Sequence, residues 1–250
     1  MNLLMARRVR AALLSIVVAT VLTLLAAACV PEPRKDLGAQ AGGSQEATVE
    51  PEPTADAQIK PVSVEQWDRI EAVGAWRPGC PATREGLRRV EVNHWRFDGS
   101  VARGVLVVNK DVAAVVADIF TRLFDEKFPI RKMRPVEEYD GDTNASLRDD
   151  NTSAYNCRRL DQINAPVTES PHANGRAIDI NPRENPWLDL RCDCWLPTAR
   201  TKARTPGPGV IYKGGLVWDL FTEAKWIWQN IDVPDYMHFD TGYPSAPYRG

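Results

Sequence analysis

The sequence predicts an α+β domain, and three observations carry that expectation. Val90 to Phe97 alternates side-chain character as a half-buried strand does. Val112, Val115, Val116, Ile119, Phe120, Leu123 and Phe124 recur at helical spacing. Strand and helix signals do not alternate regularly along the chain, which disfavours a doubly wound parallel sheet.

The elements follow in order. After the first strand, Asp98-Gly99 is a turn signal, and Gly104 to Asn109 (GVLVVN) is a second strand, so a hairpin is expected. Asp111 is placed to cap the following helix, expected over 112–127, and Pro129 stops it. Residues 136–153 are rich in Asp, Asn and Ser and are expected as a long surface loop. Arg176 to Asn181 (RAIDIN) is a short strand ended by Pro182. Residues 183–214, rich in proline and glycine, are expected to be mostly loop. Leu216 to Trp228 is expected as a helix and Tyr236 to Asp240 as a last short strand. No internal repeat is apparent.

The length of 250 residues fits one domain with appendages. With 44% hydrophobic and 26% charged residues, the composition is that of a soluble globular protein. The formal net charge of -2 gives no basic footprint, so no nucleic-acid partner is expected. Only three histidines (His94, His172, His238) and five cysteines (Cys29, Cys80, Cys157, Cys192, Cys194) are present, which excludes a zinc-finger array.

The first residues carry Arg7, Arg8 and Arg10 and no acid, and 11–28 run without a charge. A basic stretch, an apolar stretch and then small residues form a secretory signal. Cys29 directly follows Ala26-Ala27-Ala28, which resembles a bacterial lipoprotein signal with Cys29 as the lipidated residue. A plain signal peptide or an uncleaved anchor are the competing readings. The expected location is the cell envelope, lipid-anchored on the outer side of the cytoplasmic membrane. Residues 29–63 carry five prolines and scattered acids without an aromatic side chain, which predicts a flexible tether. The folded domain is then expected over 64–250.

The chemistry concentrates in two short segments. In Ser170 to Pro182 (SPHANGRAIDINP), His172 precedes Asp179 by seven residues with Gly175 between them. A glycine lets the chain turn so that both side chains converge. An imidazole and a carboxylate suit zinc, although such a pair by itself is common in proteins without a metal. In Asp235 to Asp240 (DYMHFD), His238 supplies a third ligand. Three protein ligands leave a fourth position open, as a catalytic zinc requires. Asp235 is placed as a general base and acid, and Asp240 is the competing carboxylate.

The combined pattern Ser170-x-His172-x-x-Gly175-x-Ala177-x-Asp179 and Asp235-x-x-His238 resembles the zinc D-alanyl-D-alanine carboxypeptidase family. That family includes the vancomycin-resistance D,D-peptidases and phage L-alanyl-D-glutamate endopeptidases. Thr152 to Arg158 (TSAYNCR), Asp179-Ile180-Asn181-Pro182, Asn185-Pro186 and Phe128-Pro129-Ile130 are similar to its carboxypeptidase-like branch. The resemblance covers roughly 80–240. It implies an antiparallel sheet flanked by helices, shared with the hedgehog signalling domain. It implies zinc on His172, Asp179 and His238, with Asp235 as base and acid. It implies that Arg158 binds or polarises the substrate, where its planar fork suits a carboxylate or developing oxyanion. Ser170 is assigned to bracing the loop or touching substrate. The implied partner is a peptidoglycan stem peptide, cut by a monomer. The simplest activity is that of a D-alanyl-D-alanine carboxypeptidase. The alternatives are an L-alanyl-D-glutamate-type endopeptidase and a non-catalytic zinc module that binds wall or protein.

The chain departs from the branch at Ala224 to Asn230 (AKWIWQN), which keeps tryptophans but lacks glycines. Trp226 and Trp228 are expected to be packing residues, His94 a structural histidine and Asp240 a solvated strand end. Export predicts disulfides, with three possible pairings among Cys80, Cys157, Cys192 and Cys194. A bridged Cys157 would stiffen the neighbourhood of Arg158.

Overall fold

The structure is a computed structural model that describes residues 52–159, 161–162 and 168–250. The leader, Cys29 and the tether through residue 51 lie outside the described residues. No described helix is long and apolar enough to cross a membrane.

The architecture is α+β, built on two three-stranded antiparallel sheets. The first joins β1 (Gln58–Pro61), β2 (Leu87–Trp95) and β3 (Val101–Asn109) in that order. The β2–β3 hairpin turns at Asp98-Gly99, where Gly99 takes φ +79° and Asp98 Oδ1 accepts from the Ser100 amide at 3.0 Å. β1 corrects the expected boundary. A segment read as tether instead pairs with β2, and Ala55 and Val62 beside it are buried. Composition hides this, because an edge strand buries little of its own surface.

The two faces of this sheet hold two cores. Val90, Val92, Leu106 and Val108 meet Val116, Ile119, Phe120 and Leu123 of α2 (Ala113–Asp125). Full burial of each such side chain contributes roughly 1.5–3 kcal/mol. Leu87 and Val107, of opposite parity, meet Ile70 of α1 (Val64–Ala72), Tyr155 and Cys157. The N-cap of α2 is Val112, not Asp111. The Asp111 carboxylate is taken elsewhere: it accepts from Arg176 Nη2 at 2.7 Å and from the Tyr248 amide at 2.9 Å.

The expected loop over 136–153 is structured and partly buried. Asp142 caps α3 (Thr143–Arg148) by accepting from the Ala145 amide at 3.1 Å. β4 (Lys132–Met133) then pairs in parallel with β5 (Asn151–Thr152). Asp150, Asn151 and Thr152 are buried, their polar groups used in hydrogen bonds that local composition does not reveal.

The second sheet has the order β6 (Ala177–Asp179), β10 (His238–Asp240), β9 (Ile227–Trp228). Between β6 and β9 lie the hairpin of β7 (Trp187–Asp189) and β8 (Cys194–Leu196), and helix α4 (Leu216–Glu223). The helix expected to reach Trp228 stops at Glu223, because Lys225 turns to φ +65° and sends Trp226 into the core against Phe221. The cysteines pair as Cys80–Cys157 and Cys192–Cys194.

Candidate metal centre and catalytic cleft

The antiparallel register of β6 and β10 sets His238 directly opposite Asp179. His172 comes from the turn before β6, where the Gly175 amide donates to its carbonyl at 3.0 Å. Gly175, at φ +69°, lies so close to β3 that a Cβ would stand 2.7 Å from the Asn109 amide nitrogen. The glycine therefore lets the turn dock on β3, and Asn109 donates to the Gly175 carbonyl at 2.7 Å. The Tyr155 amide donates to Val107 O at 3.0 Å, so the His172 turn and the segment leading to Arg158 hang from the same free edge.

Three ligand atoms converge. His172 Nε2 lies 3.1 Å from His238 Nδ1. Asp179 Oδ1 lies 3.0 Å from His238 Nδ1, and Oδ2 lies 3.3 Å from His172 Nε2. The outer ring nitrogens decide what faces inward. His172 Nδ1 sits 2.7 Å from the Ala154 carbonyl oxygen, and His238 Nε2 sits 2.9 Å from Asp240 Oδ2. Both partners are acceptors, so each outer nitrogen carries a proton, and each inner nitrogen presents a lone pair once it carries none. Two lone pairs and a carboxylate aimed at one point repel one another unless a cation lies between them. The donor set of two imidazoles and one carboxylate suits zinc. These three residues form the candidate metal cluster among the described residues.

The electrostatics agree. Burial alone would raise Asp179, but His172 and His238 hold its carboxyl well below the usual carboxylate range. Burial also opposes charge on His238, yet hydrogen bonds to Asp179 and Asp240 push its pKa up to about 10. A metal ion must displace that proton, which ties metal affinity to pH.

The cluster opens on a cleft of about 380 Å³. Asp235, 8% exposed, lines it, and its Oδ1 has no partner among the described residues. Burial raises its pKa to about 7, with His238 pulling it down and Asp179 pushing it up. Arg158 and Ser170 line the same cleft. Burial lowers the Arg158 pKa, and the carboxylates of Asp179 and Asp235 oppose that shift. Ser170 also shapes the turn, its carbonyl accepting from the Asn174 amide at 3.1 Å. All six site residues expected from the sequence within the domain thus meet at one cleft.

Asp240 is not a solvated strand end. It is 1% exposed and supports the His238 ring from behind. The i, i+2 spacing on a strand was the signal for this role. Trp226 and Trp228 pack against Phe221 and Phe239 and do not line the cleft. Its wall is formed instead by Trp187, with Leu147, Ile231 and Tyr243. Nothing local marked Trp187 for that place. His94 is buried on β2, far from this chemistry in sequence and absent from the cleft lining.

Residues 164–241 match the family model for D-alanyl-D-alanine carboxypeptidase. The matched segment contains His172, Asp179, Asp235 and His238, while Arg158 lies just before it. It supports a peptidase, with peptidoglycan peptides as the general class of substrate. No curated protein and no solved structure matches the chain.

Proposed function

We propose that the chain is a zinc peptidase that hydrolyses peptidoglycan stem peptides, removing the terminal residue of a D-Ala-D-Ala end. One observation carries this reading. Three ligand atoms converge beside a buried carboxylate, Asp235, which lines the same cleft and whose Oδ1 has no hydrogen-bond partner among the described residues. A zinc ion held by His172, Asp179 and His238 would polarise the scissile carbonyl and lower the pKa of a water molecule to roughly 7.

The chain's own residues do the rest. Asp235, with a pKa near 7, takes a proton from the attacking water and returns it to the departing amine. Arg158 places a planar, charged fork where negative charge grows on the carbonyl oxygen. Trp187, Leu147 and Ile231 exclude water around the peptide. Lipidation of Cys29, with the segment after it as tether, would hold this domain beside the wall as a monomer on the outer side of the cytoplasmic membrane.

A second reading has its own observation. Beyond Arg158, Leu147 and Trp187, which line both spaces, a further cavity of about 310 Å³ continues the cleft. That is room for peptide on both sides of the scissile bond, as an L-alanyl-D-glutamate-type endopeptidase needs. Mass spectrometry of digested muropeptides, with and without chelator, separates the cases. Loss of one alanine is expected; two stem fragments would indicate the endopeptidase. Intact muropeptides with metal-loaded protein that still binds sacculi would leave a non-catalytic wall-binding module.

A further inference from the structure

Arg158 has a left-handed backbone, φ +62°, although it is not glycine. Such a conformation is costly for a residue that carries a Cβ and persists where the surroundings over-determine it. Three contacts do so here. Asn156 Oδ1 accepts from the Arg158 amide at 2.8 Å. Arg77 Nη1 donates to the Arg158 carbonyl oxygen. The preceding residue, Cys157, is bonded to Cys80 and donates its amide to Ala75 O at 3.1 Å. Two of the three therefore come from one remote strap, residues 75–80, which lies outside the cleft lining.

We infer that Arg77 and the Cys80–Cys157 bridge are positioning groups that hold Arg158 in the backbone conformation aiming its guanidinium into the cleft. The direction of a side chain follows from its φ and ψ, so releasing the Arg158 carbonyl lets the residue relax toward a right-handed or extended backbone. The guanidinium then leaves the position where charge develops. Catalytic groups misplaced by about 1 Å can cost on the order of a hundredfold in rate. Asp179 and His238 are carried by β6 and β10, and His172 by the Gly175 turn, which touches the bridged segment through the Ala154 carbonyl and the Asn156 amide, so zinc content is measured beside activity. This inference rests on the reading of Arg158 as a substrate-binding group.

The test uses the full chain, with Arg77→Gln, Arg77→Lys and the double variant Cys80→Ser/Cys157→Ser. On a stem pentapeptide ending in D-Ala-D-Ala, Arg77→Gln is expected to lower kcat/KM tenfold or more with zinc content unchanged. Arg77→Lys, which keeps a charged N–H donor, should recover most of the loss. In an Arg158→Ala background, Arg77→Gln should cost nothing further, since both act through one group. The backbone ¹⁵N order parameter of Arg158 provides a readout independent of turnover. It is expected near the rigid value of about 0.85 in the native chain and below about 0.6 in Arg77→Gln. An undiminished order parameter, or an equal loss of activity in the Arg158→Ala background, overturns the inference. If the native chain cleaves no peptide while the order parameter still falls, the peptidase reading fails and the strap stands. Should the cysteine double variant not fold, the Arg77 variants decide alone.

Discussion

Asp240 Oδ2 lies 2.9 Å from His238 Nε2, and the carboxylate is almost wholly shielded from water. Its other oxygen accepts from Asn230 Nδ2 at 3.0 Å and from the Gly242 amide at 2.8 Å. The carboxylate is thus pinned while it fixes the tautomer and angle of an imidazole in the candidate metal cluster. Asp240→Asn is expected to weaken zinc affinity about ten- to hundredfold, the usual cost of losing such an outer partner. Competition against a chromogenic chelator measures it. Unchanged affinity would remove Asp240 from the metal centre.

Asp235 and His238 are separable by the metal itself. Asp235→Asn should retain zinc and lose turnover by about 10²–10⁴, the range for a positioned acid–base group. His238→Ala should lose the zinc. Metal analysis of the two purified proteins, beside a muropeptide assay, checks both roles. Equal zinc content in the two would contradict the assignment.

Gly175 holds the His172 turn against β3. Gly175→Ala combines a positive φ with a Cβ 2.7 Å from the Asn109 nitrogen and 2.8 Å from Leu87 Cδ2. Backbone strain of this kind costs roughly 1–3 kcal/mol. The expected result is a lower midpoint in denaturant and weaker zinc binding, because the turn that carries His172 must shift. A variant with native stability would show that the turn can move off β3 without cost.

Glu184 gives the fold a pH dependence. Burial, then the neighbouring Asp150 carboxylate, raises its pKa from 4.5 to about 7, against the pull of Arg131. The folded chain therefore keeps a proton that the unfolded chain releases above about 4.5. This contribution to stability is complete below that pH and is lost as pH rises through about 7. Glu184→Gln, permanently neutral, should flatten the fall and raise the melting temperature at pH 8 by a few degrees. Thermal melts between pH 4.5 and 8 measure the slope. An unchanged slope would place the titration elsewhere.

Much of this was legible in the chain. The β2–β3 hairpin and α2 follow from their periods, because each buries one face against the other. The metal cluster was also legible, since His172, Gly175 and Asp179 lie within one turn-and-strand unit whose geometry is local. Asp111 shows where local reasoning stops. Its position before a helix predicts a cap, but a bidentate arginine 65 residues away takes the carboxylate instead. The 136–153 segment fails for the same reason. Its polar side chains look solvated, whereas Asp150 and Asn151 spend their hydrogen-bonding groups on distant backbone amides and on Arg131.

The sequence by itself determined the β2–β3 hairpin, α2, the strands that carry Asp179 and His238, the identities of the candidate metal ligands and the carboxylate beside them. Residue type and spacing carry that information, because helix and strand periods and ligand chemistry are local properties. Only the tertiary structure decided which ring nitrogens face inward, that Asp240 supports His238, that Trp187 rather than Trp226 forms the wall, and that Arg77 reaches the carbonyl of Arg158. Those relations join residues far apart in the chain, and they exist only once packing has spent the conformational entropy that keeps such residues apart.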